Sequence, residues 1–184
     1  MASAIRVPPI TFEQYELFES PNGYRDELIN GRIVVSPEAK PLHSQVAENI
    51  YELLRKASDK RKYKVSQRMN LRFPDVHSMP SPDVFVIELQ EWRRACAESR
   101  YPDDIRVLLA VEVMSPSNYP RPLNEKINIY VQHGLEAWVV DSRKGEVKVH
   151  RRGQPSRTVS SKQKSPALQW CAKPISLAKI FGLP

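Results

Sequence analysis

The sequence predicts one α/β domain, a central mixed β-sheet flanked by helices on both faces and preceded by an N-terminal hairpin. Three observations predict it. Arg106-Val-Leu-Leu-Ala-Val-Glu-Val is almost continuously apolar, as a strand buried on both faces must be. A helical pattern beginning at Asn124 and closing at Gly134 separates it from a second apolar strand, Ala137-Trp-Val-Val-Asp. Strand, helix, strand in that order is a crossover unit, so part of the sheet is parallel. Upstream, Asn30-Gly31 stands between Tyr24 to Ile29 and Arg32 to Val35, and this dipeptide readily supplies the two positive φ angles of a type I′ hairpin turn.

The elements follow in chain order. Thr11 and Gln14 have the spacing of a capping box, and Phe12, Tyr15 and Phe18 recur at helical spacing behind it. After the hairpin, Pro41 opens the longest helix, whose Leu42, Val46, Ile50, Leu53 and Leu54 make one apolar stripe ending near Ser58. Alternation at Val65, Gln67, Met69, Leu71 and Phe73 reads as one or two strands, and Asp83-Val-Phe-Val-Ile as another. Asn124 is read as the N-cap of the crossover helix, with Ile127, Tyr130 and Val131 facing inward and Gly134 as its C-terminal left-handed residue. Beyond Asp141 the chain turns at Lys144-Gly145 and returns from Glu146 to Arg151, and Ser176 caps a short terminal helix through Phe181.

A length of 184 residues suits a single domain, 1–184, and 41% apolar with 27% charged residues is the balance of a soluble globular chain. No run approaches the roughly 20 apolar residues of a membrane span, so no membrane partner is expected. The N-terminus lacks the basic-then-apolar order of a secretory signal, which makes the cytoplasm the expected compartment. Cys96 and Cys171 stand apart, without the spacing of a zinc knuckle or a disulfide framework.

The net charge of +7 is concentrated. Arg143, Lys144, Lys148, Arg151, Arg152, Arg157, Lys162 and Lys164 face one acid, Glu146, so the segment from Ser142 to Lys164 contains the whole excess. Such a cluster points to a polyanion, nucleic acid first, with Arg151, Arg152 and Arg157 as candidate backbone contacts. A solvated hairpin with a basic bias is the competing reading.

No phosphate loop, dinucleotide fingerprint, nucleophile elbow or HExxH helix is present, which removes the usual sequence support for nucleotide hydrolysis, dinucleotide redox, serine hydrolysis and zinc proteolysis. What remains is a spaced acidic set. Asp83 stands at the mouth of an apolar strand, and Glu112 lies inside the most apolar one. An unpaired buried carboxylate costs several kcal/mol. A Mg²⁺ ion removes that penalty, since it takes one or two protein carboxylates and keeps its waters. A structural acid paired with an arginine is the alternative for Glu112.

Pro82-Asp83, then Glu112-Val-Met-Ser-Pro-Ser, Lys126, Tyr130, Gly134 and Glu136-Ala-Trp-Val-Val-Asp141 resemble, in that order, the Uma2 family of the PD-(D/E)XK nuclease superfamily. Glu27-Leu-Ile-Asn-Gly-Arg-Ile-Val and His43 extend the likeness upstream, giving a motif-bearing core of about 24–151. The resemblance implies a restriction-endonuclease-like fold and a metal-dependent endonuclease acting on DNA, with RNA not separated from it. It implies Asp83 and Glu112 as Mg²⁺ ligands, with the Val113 carbonyl as a third and Mn²⁺ as a substitute ion. The superfamily's lysine, two residues after the Glu, is replaced by Met114. The Uma2 pattern takes its lysine from the following helix, and Lys126 stands there. Glu27 is a further candidate ligand or water-holder, with a strand-edge acid paired to Arg32 as its alternative. His43 is a candidate proton shuttle or phosphate contact, with a capping or packing role as its alternative. Pro120 and Pro122 stand where relatives commonly carry an acid before the lysine. The competing function is a nucleic-acid-binding protein on the same fold without cleavage, and a homodimer is left open.

Overall fold

In the computed structural model the described residues are 8–103, 106–114, 120–165, 168, 170–171 and 174–182. Ser115 to Ser117 of the acidic motif and Leu183 of the C-terminal segment lie outside them. The elements run α1 (Phe12–Glu16), β1 (Tyr24–Ile29), β2 (Arg32–Pro37), α2 (Pro41–Ala57), β3 (Tyr63–Gln67), β4 (Val84–Glu88), α3 (Leu89–Ala97), β5 (Val107–Val113), α4 (Pro120–Gln132), β6 (Glu136–Asp141), β7 (Glu146–His150) and β8 (Arg157–Ser160). Short 3₁₀ turns add Pro74–Val76 and Leu177–Ile180.

Strands β3 to β8 form one sheet in sequence order, with β1 and β2 as a separate hairpin. Only β5 and β6 pair in parallel, through the α4 crossover; the other pairings are antiparallel. The two sheet faces build two cores. Val46, Ile50 and Leu54 of α2 pack on Val65, Val86, Leu109, Val111, Val113 and Val140. Ile127, Ile129 and Tyr130 of α4 pack on the other face, against Phe85, Ala110 and Ala137. With six of its seven residues buried, β5 is the interior strand its sequence requires.

The capping box of Thr11 and Gln14 forms, but α1 stops at Glu16, so Phe18 lies beyond the helix and is exposed. In the hairpin Asn30 (φ 49°) and Gly31 (φ 70°) take the two positive angles expected of them. The α2 stripe is offset from the expected one: Leu42 is exposed and His43 is turned into the protein. Alternation from Val65 to Phe73 is cut at Gln67, because Arg68 adopts a left-handed φ of 44° and ends the ladder; Leu71 and Phe73 join the core from a loop.

Asn124 does not cap the crossover helix. Helix α4 starts four residues earlier, at Pro120, because the first turn of a helix has N–H groups without intrahelical partners and loses nothing to proline there. Gly134 (φ 86°) closes α4 with Leu135 N–H donating to the Tyr130 carbonyl and Gly134 N–H to that of Val131, a Schellman pair. Helix α3 and edge strand β8 are additions to the elements read from sequence.

Candidate active site

The register of β4 on β5 sets the two acids side by side. Val84 pairs with Val111, so Asp83, the residue before β4, comes level with Glu112. Val111 and Val113 face α2, so alternation sends Glu112 toward α4, where Lys126 and Tyr130, one helical turn apart, meet it. Lys126 Nζ lies 2.7 Å from Glu112 Oε1, and the Tyr130 hydroxyl donates to the same oxygen at 2.8 Å. The hairpin supplies the third acid. Met79 N–H donates to the Leu28 carbonyl and Gly31 N–H to the His77 carbonyl, which holds β1 beside residues 77–81. Glu27 Oε1 then accepts from the Ser81 N–H at 2.6 Å and lies 2.7 Å from Lys126 Nζ. Lys126 therefore bridges two carboxylates from different elements.

Asp83 has its own partners. Its Oδ2 accepts from the Val113 N–H at 2.8 Å and stands 3.1 Å from His43 Nε2, and its Oδ1 is 3.4 Å from an Arg25 nitrogen. Asp83 is 1% exposed, Glu112 5%, His43 4% and Lys126 6%, so this charged cluster lies inside the protein.

Burial pushes both carboxyls up, and their neighbours then separate them. At Asp83 the His43 ring, the Arg25 guanidinium and the Val113 N–H outweigh burial and hold the group below its ordinary value. At Glu112 burial prevails over the Lys126 ammonium, and the Asp83 and Glu27 charges add to it, so the carboxyl is pushed up to about 7. Burial works against the Lys126 charge, but Glu112 and Glu27 more than offset it and keep the ammonium protonated well above its usual range. Tyr130, raised by burial and by the same acids, stays a donor. One carboxylate is thus held ionised beside another poised near neutrality, a combination found at functional sites.

The Uma2 family model, described as "Putative restriction endonuclease", matches residues 12–172. The chain belongs to the Uma2 family. Its fold is also that of a solved structure described as a "putative nuclease belonging to DUF820" from Anabaena variabilis, with a TM-score of 0.77, 18% identity, and coverage of 94% of this chain and 98% of that one. Comparison with curated proteins finds no match.

In this Uma2 chain Asp83, Glu112, Lys126, Glu27 and His43 come together although they lie on five separate stretches of sequence. Glu27 pairs with Lys126 and not with Arg32, whose guanidinium goes to Glu125 at 2.7 Å. Met114, just past β5, is 38% exposed. Arg25 and Tyr130 are additional site residues, and each has a simple signal. Arg25 is two residues from Glu27 on a strand, and Tyr130 four from Lys126 on a helix, so each shares a face with a residue already singled out.

The arginines of the basic segment lie elsewhere. Ala137 pairs with His150 and Leu109 with Glu136, which puts Arg151 and its neighbours at the opposite end of the sheet from the acids. The separation, from Leu109 to Glu112, is three residues along β5, about 10 Å at the usual strand rise. Arg151 Nε is 2.5 Å from Glu136, while Arg152 and Arg157 are exposed. Arg143 and Lys144, in the β6–β7 turn, lie at the acids' end, as does Lys162, which follows the end of β8 beside that turn.

Among the described residues no group of three or more His, Cys, Asp or Glu side chains is arranged to hold a metal ion, and no helix is long and apolar enough to cross a membrane. Mg²⁺ asks for less than such a cage, taking one or two carboxylates and retaining water. Asp83 and Glu112 fit that demand: both offer hard oxygen atoms from adjacent strands, and a cation between them would remove the burial penalty that raises Glu112.

Proposed function

We propose that this chain is a Mg²⁺-dependent endonuclease that hydrolyses phosphodiester bonds in DNA, with Asp83, Glu112 and the Val113 carbonyl as metal ligands and Mn²⁺ as a working substitute. The observation that carries the reading is the pairing of two buried carboxylates on adjacent strands with an ammonium 2.7 Å from one of them. Pure binding of a polyanion gives no reason to bury two acids around one lysine beside a third acid.

When bound, Mg²⁺ polarises a phosphoryl oxygen and lowers the pKa of a water molecule. The chain's own groups do the rest. Asp83 is held ionised by the His43 ring, the Arg25 guanidinium and the Val113 N–H. Glu27 and Glu112 together fix the Lys126 ammonium, so a charged donor is already in place to steady the attacking water and the charge that builds on the phosphoryl oxygens. Tyr130 fixes the Glu112 rotamer, so little reorganisation accompanies catalysis.

The test is incubation of the purified protein with plasmid and single-stranded DNA in Mg²⁺, Mn²⁺ or EDTA, beside Glu112→Gln. Cleavage by the wild type in either metal, none in EDTA and none by the variant, with DNA affinity in the variant unchanged or slightly raised, is the expected pattern. A variant that cuts at the wild-type rate removes Glu112 from the mechanism.

A further inference from the structure

Buried polar atoms without a hydrogen-bond partner are few in a folded protein, and each calls for an explanation. Among the described residues the side-chain atoms in this condition are Arg25 Nε, both ring nitrogens of His43, and Arg72 Nε. Arg72 has its guanidinium 4.5 Å over the Phe12 ring. The other three atoms belong to two residues that flank Asp83. His43 Nε2, 3.1 Å from the Asp83 carboxylate, lacks hydrogen-bond geometry, and His43 as a whole is 4% exposed. Among the described residues Arg25 is tied only at one terminal nitrogen, 3.4 Å from Asp83, with its side chain 33% exposed. Beside Asp83, then, the Arg25 Nε–H and the His43 ring nitrogens are buried without a hydrogen bond.

The partly exposed Arg25 side chain also lines a cleft. A cavity of about 310 Å³ is lined by Arg25, Arg68, Asn70 and Ser81, together with the acids Asp26 and Glu38. Asp26 is already engaged by the Ser20 hydroxyl. Arg68 is exposed, and its guanidinium donates to the neutral Ser44 hydroxyl at 3.0 Å. Two guanidinium groups thus line this cleft, and one of them, that of Arg25, also reaches Asp83 and carries a buried N–H without an acceptor.

We propose that Arg25, backed by His43, is a phosphate-binding subsite of the substrate strand, taking a backbone phosphate oxygen in the Arg25–Arg68 cleft beside Asp83. The ligand class follows from the donors: a planar guanidinium with open N–H groups matches the paired oxygens of a phosphodiester. The subsite deepens the nuclease reading and rests on it for the identity of the ligand as DNA. It also places the strand at the acids' end of the sheet, away from Arg151, Arg152 and Arg157.

The experiment is binding of a fluorescein-labelled DNA duplex in EDTA, followed by anisotropy over a series of salt concentrations. Arg25→Gln is expected to weaken binding about tenfold, as loss of a charge-assisted hydrogen bond does, and to flatten the slope of log K against log salt by about 0.9, as loss of one phosphate contact does. Arg25→Lys should retain the slope. The same change made in an Asp83→Asn background separates this role from mere neutralisation of Asp83. A phosphate contact keeps its effect there, whereas a partner of Asp83 loses it, and either that loss or an unchanged slope in a folded Arg25→Gln protein overturns the proposal. Because binding is read without divalent cation, the outcome is independent of whether the protein cuts. A chain that binds through Arg25 but never cleaves in Mg²⁺ or Mn²⁺ sinks the nuclease reading alone.

Discussion

Burial sets Glu112 against its own ionisation, and the direction has consequences for pH. Its carboxyl is pushed from the ordinary 4.5 to about 7, so its contribution to stability is whole below about 4.5 and is lost as pH rises through about 7. Asp83 works the other way: held below 3.8, it contributes above that value and loses its contribution as pH falls through its lowered one. Urea unfolding in EDTA should therefore show wild-type stability declining between about pH 5 and pH 8 relative to Glu112→Gln. A cation binds the ionised form, so Mg²⁺ should raise the wild-type melting temperature more at about pH 8 than at about pH 6, and should not move Glu112→Gln; equal shifts at both pH values would separate Glu112 from the ion. Lys126 is the companion case. Lys126→Met leaves Glu112 and Glu27 without their shared cation, a change that costs about 3–5 kcal/mol when one partner of a buried pair is removed, and cleavage should fall severely. Met114 follows Glu112 by two positions, so Met114→Lys added to Lys126→Met should restore part of the rate in a plasmid-nicking assay. These acids and Lys126 were legible in sequence because each interrupts an apolar run or matches a spaced motif. Arg25 was not, because an arginine in a hairpin is explained by solvent, and Tyr130, although part of the same motif series, is explained as an inward core residue until a neighbour on its face is known to be buried and charged.

At the scale of elements, the hairpin does more than its turn chemistry requires, since it delivers Glu27 to Ser81 and Lys126. Its anchor is narrow. Gly31 donates to the His77 carbonyl and receives a hydrogen bond from Ile10, and a Cβ at Gly31 would meet the Pro9 Cβ and come within 2.9 Å of the Pro9 Cα. Its φ of 70° is also unfavourable for a side chain, by roughly 1–2 kcal/mol. Gly31→Ala should consequently destabilise the protein by at least that amount in denaturant titrations and reduce cleavage in proportion to the loss of the Glu27 contact, whereas Gly153→Ala, with φ 70° and open space around it, should lower stability by the backbone component alone and leave cleavage unchanged. Sequence pattern located β5, β6, α2 and the hairpin because their signals come from burial on a fixed period or from positive φ. It misplaced the start of α4, where two prolines look like a loop although a first helical turn accepts them. It passed over β8, whose four residues bury only Val159, and α3, whose buried Glu91 is held by Arg100 at 2.8 Å and so breaks the apolar stripe that marks a helix.

Across the whole molecule the charge map and the strand ends decide where DNA can lie. The Ser142 to Lys164 segment carries the full +7 of the chain, yet the fold divides it. Arg143 and Lys144 are exposed in the turn that follows Asp141, whose carboxylate accepts their backbone N–H groups at 3.0 and 3.1 Å, and Ser161 joins that end by donating to the Gly145 carbonyl. Arg152 lies just beyond the other end of β7, and Arg157 pairs with Val149 near that end. A strand whose phosphate reaches Asp83 and Glu112 passes the first pair and reaches the second only by continuing along the sheet. Every neutralised phosphate contributes about −0.9 to the slope of log K against log salt on a duplex. Arg143→Gln with Lys144→Gln should therefore flatten the slope by up to about two units and raise the KM for cleavage, if both touch phosphates. Arg152→Gln with Arg157→Gln should flatten it less and leave the KM on a short duplex unchanged, because neither residue is near the bond being cut. The reverse ranking, with the far pair carrying the larger slope, would place the duplex at the end of the sheet where Leu109 pairs with Glu136, and would leave the acids without a substrate path.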